Sequence, residues 1–229
     1  MDKNSVFYDQ TSDINSFYAK IYSLVGVGIG VSALVAFLTI VAFPGAIVSI
    51  LSGSTMIFYV AIAAELILVY WAHGLAINNS PAAFPVYLLY SAVNGFTLSI
   101  VLATYTYSSV VSAFVTSSIM FFVMAIVGRV TKKDLSGIGR ACLGVLIGII
   151  IASVVNIFLG SGTLDFIISI VGVVIFSGLI AWDNQKIRYV YEQSNGNPGN
   201  NWAVSLALHL YLDFINLFLN ILRLFGRRN

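Results

Sequence analysis

The chain has 229 residues, 59% of them hydrophobic and only 9% charged, with a formal net charge of +2 and a mean hydropathy of +0.95. A water-soluble domain carries about 25% charged residues, so this chain cannot cover a surface that faces water, and a soluble fold is excluded. The slight positive balance argues for no nucleic-acid partner, because the basic residues fall in short loops beside apolar runs. What remains is an all-α, polytopic membrane helix bundle with lipid as its first partner. The single cysteine, Cys142, has no internal disulfide partner.

Crossing the ~30 Å hydrocarbon layer takes about 20 apolar residues in a helix. Residues 1–18, MDKNSVFYDQTSDINSFY, read as a polar, solvated tail, and 19–229 as one transmembrane bundle. The first apolar run, 19–43, is too long for the core of a cleavable signal and ends at Pro44-Gly45. The second, 55–77, is followed by the turn-like Asn78-Asn79-Ser80-Pro81. The third, fourth and fifth are 82–104, 110–130 and 141–159. The sixth, 164–182, follows the short turn Gly160-Ser161-Gly162. Residues 183–201 then read as the one long hydrophilic connection, with a turn-rich QSNGNPGNN section. Gly26, Gly28 and Gly30 in the first run, and Gly144 and Gly148 in the fifth, are expected to allow close helix approach.

The last run, NWAVSLALHLYLDFINLFLNILRLF over 201–225, is the most informative stretch. At 3.6 residues per turn Ser205, His209, Asp213, Asn216, Asn220 and Arg223 fall on one stripe, and nearly everything else is apolar. An ionisable group at the bilayer centre costs roughly 2.5–3.5 kcal/mol even on mild insertion scales. The stripe must therefore face other helices or water. Seven full crossings put eight basic residues on the side of the N-terminus: Lys3, Lys20, Arg129, Lys132, Lys133, Arg140, Lys186 and Arg188. Arg223, Arg227 and Arg228 fall on the other. The distribution favours a cytoplasmic N-terminus. Six crossings with a re-entrant last segment would put all eleven on one side.

Three acidic residues could carry chemistry. Asp213 lies deepest, and His209 or a neighbouring span could satisfy it. Asp183 closes the sixth run and reads alone as an interfacial charge with Lys186 one turn on. Should the last two spans pack together, two carboxyls would share a low-dielectric site where both cannot ionise cheaply, which is the physics of a pH sensor. Glu65 sits mid-span in AAELILVYWAHGLAI, with His73 two turns on and loosely on the same side. The remaining acidic residues lie in the tail, in loops (Asp134, Glu192) or at a helix start (Asp165). No EF-hand loop, zinc spacing or nucleophile elbow occurs. Calcium contact at Asp183 and Asp213 would be weak and transient, as permeation requires.

Several segments resemble the Bax inhibitor-1, or transmembrane Bax inhibitor motif, family in order along nearly the whole chain. They are AELILV, LLYSAVNGFTLS, GRVTKKDLSGIGR, IAWDNQKIR and LYLDFINLFLNILRLFG. The resemblance implies seven helices with the last one central. It also implies a pH-sensitive calcium leak gated by an aspartate pair, here Asp183 and Asp213, with Glu65 as the acidic residue of span two. Trp182 and Asn184 stand where the family has Tyr and Thr. Members with a basic latch carry Arg near the end of span two. Leu75 and Ala76 stand there in this chain, leaving His73 as the nearest basic residue.

The expected function is thus a proton-gated calcium leak of a bacterial plasma membrane. It needs no cofactor and no enzymatic chemistry, and Glu65, His209, Asn216 and Asn220 would line the ion pathway. A non-transporting membrane regulator that binds a membrane protease or a stress or death factor is an alternative. A proton-coupled transporter is another, although no internal repeat is evident. An intramembrane aspartyl protease would pair two aspartates in the same way, but Leu210-Tyr211-Leu212-Asp213 lacks the glycines of that pattern.

Overall fold

A computed structural model describes residues 3–53, 56–78 and 80–229; for 3–12, 58, 200 and 201 it describes the backbone alone. The predicted start of the second span at residue 55, the turn residue Asn79 and the first two residues of the predicted tail lie outside the described residues. The described chain is helical almost throughout: α1 (Lys3–Ala42), α2 (Pro44–Leu51), α3 (Met56–Ile77), α4 (Ala83–Leu102), α5 (Tyr107–Val130), α6 (Ser136–Leu159), α7 (Gly162–Gln193) and α8 (Asn200–Phe225). Seven of these hold a stretch long and apolar enough to cross a membrane, the short α2 being the exception. The chain is an all-α polytopic membrane protein. α8 is one unbroken helix of 26 residues, the form a full crossing takes.

Three boundaries differ from the sequence reading, each for a physical reason. α1 begins at Lys3, so the stretch read as a tail is helical, and its last two residues, Phe17 and Tyr18, are buried. Phe17 packs against Tyr191 with ring centroids 6.0 Å apart. The segment read as a long connection after Trp182 is mostly helix. α7 runs on to Gln193, because Asn184, Ile187 and Tyr191, at i, i+3 and i+7, form a buried stripe beneath a polar face. Glu192 is therefore helical. At 32 residues α7 is about 48 Å long, well beyond the hydrocarbon thickness. Finally, PGAIVSIL forms its own short helix, α2, opened by Pro44, whose fixed φ and missing N–H suit a first turn. The turn before α7 is as expected. Gly160 takes φ +61 and ends α6, a left-handed position that glycine adopts without Cβ strain.

The chain divides into two packed units. The first comprises Met1–Thr104 and Tyr189–Tyr211, and within it α4 packs on both α1 and α3. The second comprises Tyr105–Arg188 and Leu212–Asn229. α8 thus contributes its first half to one unit and its second half to the other. It is the most buried span, with 78% of its apolar window covered, whereas none of the α6 window is. That contrast explains the composition of the two helices. α6 is apolar all round because lipid covers it, while α8 can afford Asp213 because protein does.

Of the glycines singled out in sequence, only Gly28 stands at a tight crossing, under the Tyr87 hydroxyl. A Cβ at Gly26, Gly30, Gly144 or Gly148 would meet nothing. Helix backbone approaches helix backbone at Gly95, where a Cβ would come 2.5 Å from the Ser32 carbonyl oxygen, and at Gly128, where it would run into the Ala181 carbonyl. Backbone lies on backbone there, so a side chain would force the helices apart.

Candidate functional site

The second unit holds a buried carboxyl pair. Asp183 of α7 is 5% exposed and Asp213 of α8 is 6% exposed, and the two carboxyls lie close enough to feel each other's charge. Lys186, one turn along α7, places Nζ 2.8 Å from Asp183 Oδ1. The same ammonium sits 3.4 Å above the Trp182 ring centroid. The Cys142 thiol of α6 lies within the field of Asp213. The second oxygen of Asp213, Oδ2, is buried without a hydrogen-bond partner. The pair is therefore two buried acids with one counter-cation beside them. Two carboxyls so placed cannot both ionise cheaply.

The first unit holds a different polar cluster. Glu65 of α3 is half-buried and accepts from two groups of α4: Thr97 Oγ1 onto Oε1, and Asn94 Nδ2 onto Oε2 at 3.3 Å. The Asn94 carbonyl oxygen accepts from the Tyr211 hydroxyl at 2.8 Å. That hydroxyl also lies 2.6 Å from Ser32 Oγ of α1, which donates to the Ser91 carbonyl at 2.7 Å. The Tyr211 ring meets Tyr87 and Tyr90 edge-on, each at 5.8 Å. Four helices are thus tied through one phenol.

The residues predicted from sequence separate accordingly. Asp183 and Asp213 come together. Glu65 binds to α4, and His209 stacks on His73 with centroids 5.1 Å apart and planes 27° from parallel. His73 Nδ1 is buried without a hydrogen-bond partner. Asn216 and Asn220 donate at 2.8 Å to the Leu212 and Asn216 carbonyls of their own helix, and Asn220 packs over Gly172. Arg223 is exposed. Sequence reasoning missed Tyr211, Ser32, Asn94 and Thr97. The signal was present in α4, where Tyr87, Ser91, Asn94 and Thr97 follow helical spacing on one face.

Fold and site together define a polytopic, all-α membrane protein with a titratable centre enclosed by its own spans. The chain belongs to the Bax inhibitor-1 family: the family model described as inhibitor of apoptosis-promoting Bax1 matches residues 14–229. It is 49% identical to an uncharacterised membrane protein of Streptococcus pyogenes serotype M6, over the full length of both chains. It is 47% identical to the protein YrjE of Lactococcus lactis, over 99% of this chain and 97% of the relative. It is 37% identical to inner membrane protein YbhL of Escherichia coli, over 94% and 93% respectively.

Proposed function

We propose that this chain is a pH-sensitive calcium leak, gated by the protonation state of the Asp183–Asp213 pair. One observation carries the reading: two buried carboxyls on consecutive long helices lie within reach of each other's charge, with a lysine as their counter-charge. Adding or removing one proton there switches the pair between one charged carboxyl and two that repel each other. The repulsion acts on α8, the span with the most protein around it. Calcium is the permeant ion in this reading and binds weakly, because two carboxyls supply fewer than the six to eight oxygens of a tight site. No cofactor takes part and no bond is cleaved. The bias of basic residues in the loops supports a bacterial plasma membrane protein with its N-terminus in the cytoplasm.

The test is calcium flux into proteoliposomes of the purified chain, measured as a function of pH. Flux should change with pH in the wild type, and Asp213→Asn should remove that change. A variant that keeps the wild-type pH response would overturn the gate. Absence of flux from correctly inserted wild type would leave the chain as a non-transporting regulator.

A further inference from the structure

The loop between α5 and α6 is built with unusual care for an exposed connection. The side chain of Gln185, on α7, donates to the carbonyls of Thr131 (3.3 Å) and Lys133 (2.8 Å) and accepts from the Leu135 N–H (2.8 Å). One amide therefore fixes both arms of the loop on α7. Around it stand Arg129, Lys132, Lys133 and Arg140, all exposed. The one acidic residue among residues 129–140, Asp134, has both its oxygens engaged by Ser136, through the backbone N–H at 2.9 Å and the hydroxyl at 2.6 Å. The loop backbone that carries Lys132 and Lys133 is thus held in place, while Asp134 is engaged by Ser136 and lies within the field of Arg140.

Trp182 gives the depth of this edge. Its ring lies against Gly139, where a Cβ would run into it, and beneath Lys186 Nζ. Tryptophan favours the headgroup level, with its ring in the apolar zone and its N–H toward water. On the hydrocarbon side the helices expose Phe122 and Ile126 of α5 and Ile147 of α6, each more than half exposed. A basic rim above an apolar wall, at tryptophan depth, matches a phospholipid: phosphate above and acyl chains below.

We propose that this edge is a binding site for the headgroup of an anionic phospholipid, its phosphate held by Lys132 and Lys133 of the loop. Charge complementarity selects the anionic headgroup over a zwitterionic one, and the apolar wall selects a lipid over a free anion. A basic residue near an anionic membrane surface contributes about fivefold to binding.

The experiment is native mass spectrometry of the full chain in neutral detergent, titrated with equal amounts of phosphatidylglycerol or phosphatidylcholine. Phosphatidylglycerol should bind about tenfold or more tightly than phosphatidylcholine. Lys132→Gln with Lys133→Gln should remove about tenfold or more of that preference. Arg223→Gln with Arg227→Gln, which alters basic residues outside this loop, should leave it intact. Raising salt from about 50 to about 500 mM should weaken it in the wild type, an arm that needs no variant. Equal binding of the two lipids, equal loss in both double variants, or indifference to salt would each overturn the site. Displacement of the lipid by millimolar inorganic phosphate, or by an acidic peptide at equal concentration, would overturn the assignment to lipid.

Discussion

The two polar centres of this molecule use similar side chains to opposite ends. In the first unit Glu65, Thr97, Asn94, Tyr211 and Ser32 form a chain in which each carboxylate oxygen, amide and hydroxyl has a hydrogen-bond partner. In the second, Asp213 faces another acid and leaves one buried oxygen without a partner. Among the described residues, only His73 Nδ1 shares that condition. A satisfied network buried in protein fixes helices in place. An unsatisfied one is costly, and a fold keeps it where the cost serves a function. The first centre is the mortar of the fold, and the second is the place to look for change.

The sharpest way to break this comparison is to neutralise one acid in each centre. Asp213→Asn should flatten the dependence of calcium flux on pH. Asp183→Asn should do the same, because the repulsion needs both acids. Either variant that retains the wild-type profile would move the gate elsewhere.

The corresponding changes in the first unit should act on stability instead. Tyr211→Phe removes the hydroxyl that ties Asn94 to Ser32. It should cost about 1–2 kcal/mol, seen as a melting temperature lower by about 2–8 °C in detergent, with the pH profile of flux unaltered. Glu65→Gln should cost less, about 0.5–1 kcal/mol. Thr97 can still donate to the remaining oxygen, and only the contact with the Asn94 amide becomes donor against donor. A Glu65→Gln protein that melts normally but loses its pH response would erase the distinction between the centres.

How much of this was legible in sequence follows from what burial does to composition. The seven spans were legible because lipid demands about 20 apolar residues in a row, and the runs ending at Ile77, Val130 and Leu159 stop where their helices stop. The carboxyl pair was legible because a carboxylate inside such a run has few bland explanations. The far end of α7 was not. DNQKIRYVYEQ has the average polarity of a loop, and only the spacing of Asn184, Ile187 and Tyr191 betrays one buried face. The Tyr211 network was hidden for the opposite reason. Tyrosine, serine and threonine are common in membrane helices, and no single one stands out until the partner helix is in place. The glycines misled for a related reason. Gly144 and Gly148 have the spacing of a helix contact, but their face of α6 has no neighbour.

The smallest effect supplies the control, a carboxylate in water. Asp134 is fully exposed, and its two hydrogen bonds from Ser136 hold its carboxyl below the usual range, the hydroxyl contributing most. A carboxyl whose folded value is depressed binds fewer protons than it does unfolded. Its stabilising contribution is therefore present above the ordinary carboxylate range and fades as pH falls through the depressed value. Asp134→Asn keeps an oxygen for the Ser136 N–H but cannot titrate. The melting temperature of the wild type should exceed that of this variant slightly at neutral pH, and the gap should close in acid. Calcium flux should keep its wild-type pH response throughout. A change in that response from a residue so exposed would mean that net charge at the loop, and not a buried proton, sets the gate.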